Sequence, residues 1–289
     1  FNEFKTSARL TEQLKKLGLQ VKRSIARTGV VGLLNVKTRG KTVALRADMY
    51  ALPLTEQTNF SYKSKNKGVM HACGHDVHMT CVIGAAIILS ELKDELNGNV
   101  KFIFQPSEES PPGGAKLMIQ AGVLNDPKVS GIFGLHCDSS IPVGRVGVKE
   151  GPFMAQADSF NITIKGMGGH GARPHDGIDA ILVASQVIQA LQAIVSRKID
   201  PVQPVVISVG KIEGGSKRNI ICDRVMLEGT ARSLSKEVAR RIPRLLKEIV
   251  SGITKSAGAS FELNYSLGYP VLINHPQTTD LARGAIAQM

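Results

Sequence analysis

Four short apolar runs constrain this chain most: residues 30–36, 42–47, 100–104 and 131–135. Their near-continuous hydrophobicity suits strands buried on both faces. Helix-like segments at 76–93 and 114–121 lie between them. Apolar strands alternating with helices predict a parallel or mixed sheet covered on both sides. In such sheets, chemistry collects beyond the carboxyl ends of the strands. Asp48 follows the second run, Glu108 and Glu109 follow the third, and His136 follows the fourth. That placement is the first sign of a site. A helix over 4–17 opens the chain abruptly.

The pattern changes after Gly151–Pro152. Phe160, Ile162 and Ile164 alternate with polar residues, as in a half-buried strand. A helix follows, with Ala184, Val187, Ile188, Leu191, Ile194 and Val195 on one stripe. Strands carrying Val205, Ile207 and Val209, then Val225, Leu227 and Gly229, come next. A helix over 235–251, with Ser235 as its N-cap, precedes a last strand through Phe261, Leu263, Tyr265 and Leu267. The β-α-β-β-α-β order is a ferredoxin-like signature. The expected class is therefore α/β: a catalytic mixed-sheet α/β domain over 1–155, with a ferredoxin-like βαββαβ satellite domain inserted at 156–267. Residues 268–289 would begin the returning catalytic segment. TTDLARGAIAQM reads as a helix start without a stop, so the chain looks truncated at both ends.

Composition narrows the function classes. The formal charge is +12, but the basic residues are scattered, aromatics make up 4% and Trp is absent. No stacking platform or dense arginine stripe is present, which argues against nucleic-acid binding. No apolar run reads as long enough to span a bilayer. Four irregularly spaced cysteines do not form a disulfide framework, so a reducing, cytoplasmic setting is expected.

The densest chemistry lies in HACGHDVH, residues 71–78. Cys73 and His75 would point the same way along an extended backbone, and both suit zinc-like metals. Gly74 permits close backbone approach, and Asp76 is placed to orient a ligand histidine. FQPSEES, 104–110, sets two adjacent glutamates after a buried strand, a costly arrangement unless they are paired or metal-bound. One could ligate a metal while its neighbour takes a proton from water. PPGGA then gives a rigid turn and a helix start. His136 in GLHCD ends a strand, and Cys137 would face the other way. Cys81 and Cys222 read as core residues. Cys, His, Glu and His from three strand ends meet the donor requirement of a metal centre.

Several motifs in series sharpen this reading: LRADMYALP, GVMHACGHDVHMT, FQPSEE, GLH, GGHGARPH, NIICD and GTAR. Together they resemble the metallo-aminoacylase family, which includes hippurate hydrolase, N-acyl-amino-acid amidohydrolase and auxin-conjugate hydrolases. The resemblance covers essentially the whole chain. It implies two divalent metal ions (Zn, Mn, Co or Ni) held by Cys73, His75, Glu109 and His136, with Glu108 as general base. It implies that His170 polarises the scissile carbonyl, commonly across a dimer interface, and that Asn219 and Arg232 bind the substrate carboxylate or carbonyl. The expected substrate is a small N-acyl amino acid or short peptide, and the expected assembly is a homodimer through the satellite domain, with no nucleic acid or membrane partner.

Two departures from the family pattern stand out. Tyr50 occupies the position of the usual second acid in RADMDALP, while Asp48 is retained. The family also carries a further metal-binding histidine near its C-terminus, and His275 lies in the wrong context for it. The rival expectations are a carboxypeptidase or dipeptidase of the same clan, and a catalytically impaired homologue.

Overall fold

The computed structural model describes residues 1–36, 40–110 and 112–289. Pro111, at the head of the expected PPGGA turn, lies outside the described residues. The chain divides into two compact units, Phe1–Arg145 and Val146–Met289.

In the first unit, α1 (Phe4–Lys16) leads into β1 (Gln20–Ile25), β2 (Gly29–Leu34) and β3 (Thr42–Asp48). Then come α2 (His75–Glu91), β4 (Asn99–Gln105), α3 (Gly114–Gln120) and β5 (Val129–Gly134). The sheet order is β1-β2-β4-β3-β5. β1–β2 and β2–β4 are antiparallel, whereas β4–β3 and β3–β5 are parallel. The mixed sheet expected from the apolar runs is therefore present.

Alternation along β4 explains why its Phe102–Phe104 stretch is apolar at every position. Phe102 and Phe104 pack with Leu10 and Leu14 of α1 and Met79, Val82 and Ala86 of α2. Ile103 joins Val31, Ala44, Met118 and Val123 in a second cluster. Successive side chains point to opposite faces, and both faces are covered. Parallel pairing of β3 with β4 and β5 brings the ends of all three to one sheet edge, with Asp48 beside Gln105 in register.

The second unit holds β6 (Gly151–Met154), β7 (Gln156–Lys165), β8 (Gly169–His170), α4 (Ala180–Ala193), β9 (Val205–Gly214) and β10 (Ile220–Ile221). β11 (Arg224–Ser233), α5 (Lys236–Ser256), β12 (Ser260–Ser266), β13 (Leu272–Asn274) and α6 (Pro276–Ile286) complete it. The main sheet runs β12-β7-β11-β9, wholly antiparallel. Phe160, Ile162 and Ile164 of β7 pack on Val183, Val187 and Leu191 of α4 and on Ile242, Leu246 and Val250 of α5. α5 starts where Ser235 Oγ accepts the Val238 N–H at 3.4 Å, and it runs to Ser256, five residues beyond the expected end. A β8–β10 ribbon sits beside this layer, and β6 pairs with β13 where the chain enters and leaves it.

Two expectations need correction. Residues Ala180–Lys198 form one helical stretch of mean hydropathy 1.4, long and apolar enough by length and composition to cross a membrane. Its Val183, Val187, Leu191 and Ile194 are core residues of the second unit, which accounts for that composition. Cys81 is exposed rather than core, because α2 buries His75, His78, Met79, Val82 and Ala86 instead. Cys137 is exposed as well, while Cys222 is buried as expected.

Candidate metal centre

The segment before α2 is a turn rather than an extended strand. Gly74 adopts φ +79°, a left-handed conformation natural to glycine, and α2 begins at the next residue. A side chain at Gly74 would also meet Cys137 Cβ at 3.1 Å. This turn brings Cys73 and His75 together by a route different from the expected side-chain alternation. His75 is fully buried at the first turn of α2.

Hydrogen bonds assign the imidazole tautomers, because a carbonyl can only accept. His75 Nδ1 donates to Tyr50 O at 2.6 Å, and His136 Nδ1 donates to Cys137 O at 2.7 Å. Each Nε2 is thereby left with a bare lone pair, the form that ligates metal. His136 Nε2 lies 3.4 Å from Cys73 Sγ, and His75 Nε2 lies 4.0 Å from Glu109 Oε1. Donor atoms of Cys73, His75 and His136 lie within 4.8 Å of one another, and so do those of His75, Glu108 and Glu109. His75 Nε2 is buried with no hydrogen-bond partner. A buried imidazole nitrogen facing a thiol and carboxylates suits a divalent cation, so the donor set fits the metal expected from the sequence.

The surrounding electrostatics agree with this arrangement. Burial pushes the Glu108 carboxyl above its usual range, and the charge of Glu109 pushes it further. Burial also raises the Cys73 thiol to about 11, aided by its hydrogen bond to Glu109 and that group's charge. In both, burial is the larger cause and the neighbouring carboxylate the lesser. Asp48 behaves differently. Burial opposes its ionisation, but Arg46 and the hydrogen bond from His78 prevail and lower its pKa. Arg46 Nη1 donates to Asp48 Oδ2 at 2.9 Å, while Arg46 Nε and Nη2 hold Gln105 Oε1.

Sequence reasoning did not reach several supporting residues. His78 Nδ1 donates to Asp48 Oδ1 at 2.7 Å, and the Cys137 N–H donates to His78 Nε2 at 2.9 Å. Both nitrogens of His78 are therefore committed, so the nearby Asp48–His75–His78 trio is not a second open site. Glu3 accepts from the Ser107 N–H at 2.9 Å and from Thr28 Oγ at 2.7 Å. It steadies Ser107, whose φ of +49° is unusual for a residue other than glycine. Glu108 follows directly. Only long-range contacts reveal Glu3. The repeated histidines of HACGHDVH could have flagged His78.

The second unit brings His170 and Asn219 together and places Arg232 apart from them. His170 and Asn219 line one groove with Gly168, Ser216, Ile221 and Asp223. The Ala172 N–H donates to His170 Nδ1 at 3.1 Å, leaving Nε2–H as an outward donor. Arg232 pairs with Ala157 and Val206 near the far end of β11. At strand rise it lies roughly 30 Å from the Asp223 end, so Asn219 and Arg232 do not share that groove.

A thiol, two imidazoles and two carboxylates gathered where parallel strands end define a metallohydrolase-type centre. The chain belongs to peptidase family M20/M25/M40, whose model matches residues 44–289. It is 45% identical over 283 residues to thermostable carboxypeptidase 2 of Saccharolobus solfataricus, covering 97% of this chain and 72% of that one. It is 43% identical over 278 residues to the N-acyl-L-amino acid amidohydrolase of Geobacillus stearothermophilus, covering 96% and 74%. Among solved structures, a Bacillus subtilis dinuclear metal binding peptidase from the M20 family superposes with a TM-score of 0.83 at 37% identity, covering all of this chain and 74% of that one. The chain is thus a hydrolase with an M20-type fold and a metal-binding site.

Proposed function

We propose that this enzyme hydrolyses the amide bond of N-acyl amino acids, releasing a carboxylate and a free amino acid. One observation carries the reading: His75 Nε2 is buried and unpartnered among Cys73, His136, Glu108 and Glu109 donors. Cys73, His75, Glu109 and His136 would hold two divalent ions, of Zn, Mn, Co or Ni. Bound there, such ions supply Lewis acidity for activating water and polarising a carbonyl. Glu108 takes the proton of the attacking water and returns it to the leaving amine. Its raised pKa suits both directions of that transfer. His170 donates Nε2–H to the developing oxyanion. Arg232 offers a fork to a substrate carboxylate, and Asn219 serves the carbonyl side together with His170 from a second copy, since within one chain they lie roughly 30 Å from Arg232. Tyr50 does not remove the support of His75, because its backbone oxygen is the acceptor.

We further propose that residues 156–267 form an inserted satellite layer that pairs with a second copy, with 268–289 returning to the catalytic domain. The β6–β13 pairing at the two ends of that layer supports the insertion. Four free cysteines support a cytoplasmic setting.

The test compares hydrolysis of N-acetyl and N-benzoyl amino acids with that of dipeptides by the zinc- and manganese-loaded protein. Faster turnover of the acyl amino acids is expected. Preference for dipeptides would favour carboxypeptidase action, the activity in the Saccharolobus relative's name. Absence of turnover on either would sink the proposal.

A further inference from the structure

His136 poses a mechanical problem. It is exposed, and it lies beyond the point where β5 stops pairing with β3, at Gly134. Its ring meets Cys73 Sγ at 3.4 Å and stands edge-on to the His78 ring, and the bond that ties it to the backbone runs through Nδ1 to Cys137 O. The ring's orientation therefore follows the orientation of the Cys137 residue. The Cys137 N–H in turn donates to His78 Nε2 at 2.9 Å.

That acceptor is held firmly. His78 is buried on the first turns of α2, and its Nδ1–H is engaged by Asp48. Asp48 is 1% exposed at the end of β3, and Arg46 ties it to Gln105 of β4. If His78 carried its proton on Nε2 instead, that nitrogen would face the Cys137 N–H donor to donor. The Asp48 contact excludes that tautomer. Gly74 completes the seat, since any side chain there would press on Cys137.

We infer that His78 is a positioning residue: by accepting the Cys137 N–H it transmits the rigidity of the sheet to the His136 segment and aims His136 Nε2 at Cys73 and His75. The inference rests on the reading of this cluster as a metal centre. It differs from a role as a satisfied core histidine, which would support the fold without preference for His136.

Two measurements test it. In the metal-free protein, long-range ¹H–¹⁵N spectra of the histidine rings should show His78 with a protonated Nδ1 and a bare Nε2. An Nε2–H tautomer overturns the inference. This measurement uses the unsubstituted chain, so it decides even if a variant fails to fold. Zinc affinity is then read by competition with a chromogenic chelator. His78→Leu should weaken binding roughly 10–100-fold, the usual cost of losing a group that orients a ligand. His78→Gln, whose side-chain oxygen can accept the same N–H, should recover much of the loss. In a His136→Ala background, His78→Leu should have almost no further effect, because its route to the metal is gone. Equal losses with and without His136, or unchanged affinity in His78→Leu, overturn the positioning role alone. Failure of the unsubstituted protein to bind zinc overturns the metal centre itself, a separate result.

Discussion

The two units treat buried polar groups in opposite ways. In the second, Asp158 is 2% exposed and fully engaged: Gln156 Nε2, Tyr265 Oη–H and the Gly268 N–H all donate to it. In the first, Lys101 is equally buried and equally satisfied, donating to the carbonyls of Val123, Asp126 and Pro127. A few residues away the rule fails. Among the described residues, the buried side-chain atoms without a partner are His71 Nδ1 and His75 Nε2, both in the first unit. An unpaired buried polar group costs about 1–3 kcal/mol. A sheet able to satisfy Lys101 but not His75 carries a defect that a bound ion would remove. The incomplete unit is the one to search for the metal, and the complete one is the framework that carries His170, Asn219 and Arg232.

The strongest way to break this contrast is through Glu108. Glu108→Gln should lower kcat by roughly 10²–10⁴-fold, the span of general acid–base catalysis, while zinc affinity stays near that of the unsubstituted protein. Turnover kinetics beside the chelator assay would check both halves, and near-normal turnover would end the base assignment. Next in size, Asp158→Ala should destabilise the second unit by about 3 kcal/mol, because three donors lose their buried acceptor. Denaturant unfolding measures this, and zinc affinity should not move. A loss of metal binding there would erase the division between the units. Somewhat smaller is the effect of metal itself. At a free concentration about 100 times Kd, zinc should stabilise the folded state by about 2.7 kcal/mol. Hydrogen exchange should localise that protection to residues 73–78 and 134–138 rather than to β7 and β11. Uniform protection, or none, would mean that the unpartnered His75 nitrogen is not where the ion sits.

Much of the first unit was legible because its strands are buried on both faces, and that leaves continuous apolar runs such as FIF at Phe102–Phe104. Parallel pairing then forces their ends together, so Glu108, Glu109 and His136 could be grouped without coordinates. The local shape of the cluster could not. Cys73 and His75 meet through a left-handed Gly74, and the sequence alone allows an extended backbone equally well. β1 was missed because most of its residues are exposed and Lys22 and Arg23 interrupt it, as in an edge strand. Cys81 was misjudged because α2 is apolar on more than the face it buries. His78 and Glu3 act through partners 25 to 104 positions away, and no local pattern encodes such pairings.

The smallest effect sharpens the comparison from the side of the second unit. Burial raises the Tyr265 phenol above its usual 10.0, and its hydrogen bond to Asp158 and that carboxylate's charge raise it further. A folded pKa above the unfolded one means that the stabilisation is fully present below pH 10 and is lost as pH rises past it. Tyr265→Phe should therefore cost about 1 kcal/mol at pH 7, the worth of one buried hydrogen bond. The deficit should shrink at pH 11, where the unsubstituted protein must either keep an unfavourable proton or ionise beside Asp158. Urea unfolding of both proteins at the two pH values provides the measurement. No deficit at either pH would show that the ring's packing, which phenylalanine keeps, and not its hydroxyl, supports the second unit. Asp158 would then depend on Gln156 and Gly268 alone, and the contrast between a satisfied unit and an unsatisfied one would be weaker than the hydrogen bonds imply.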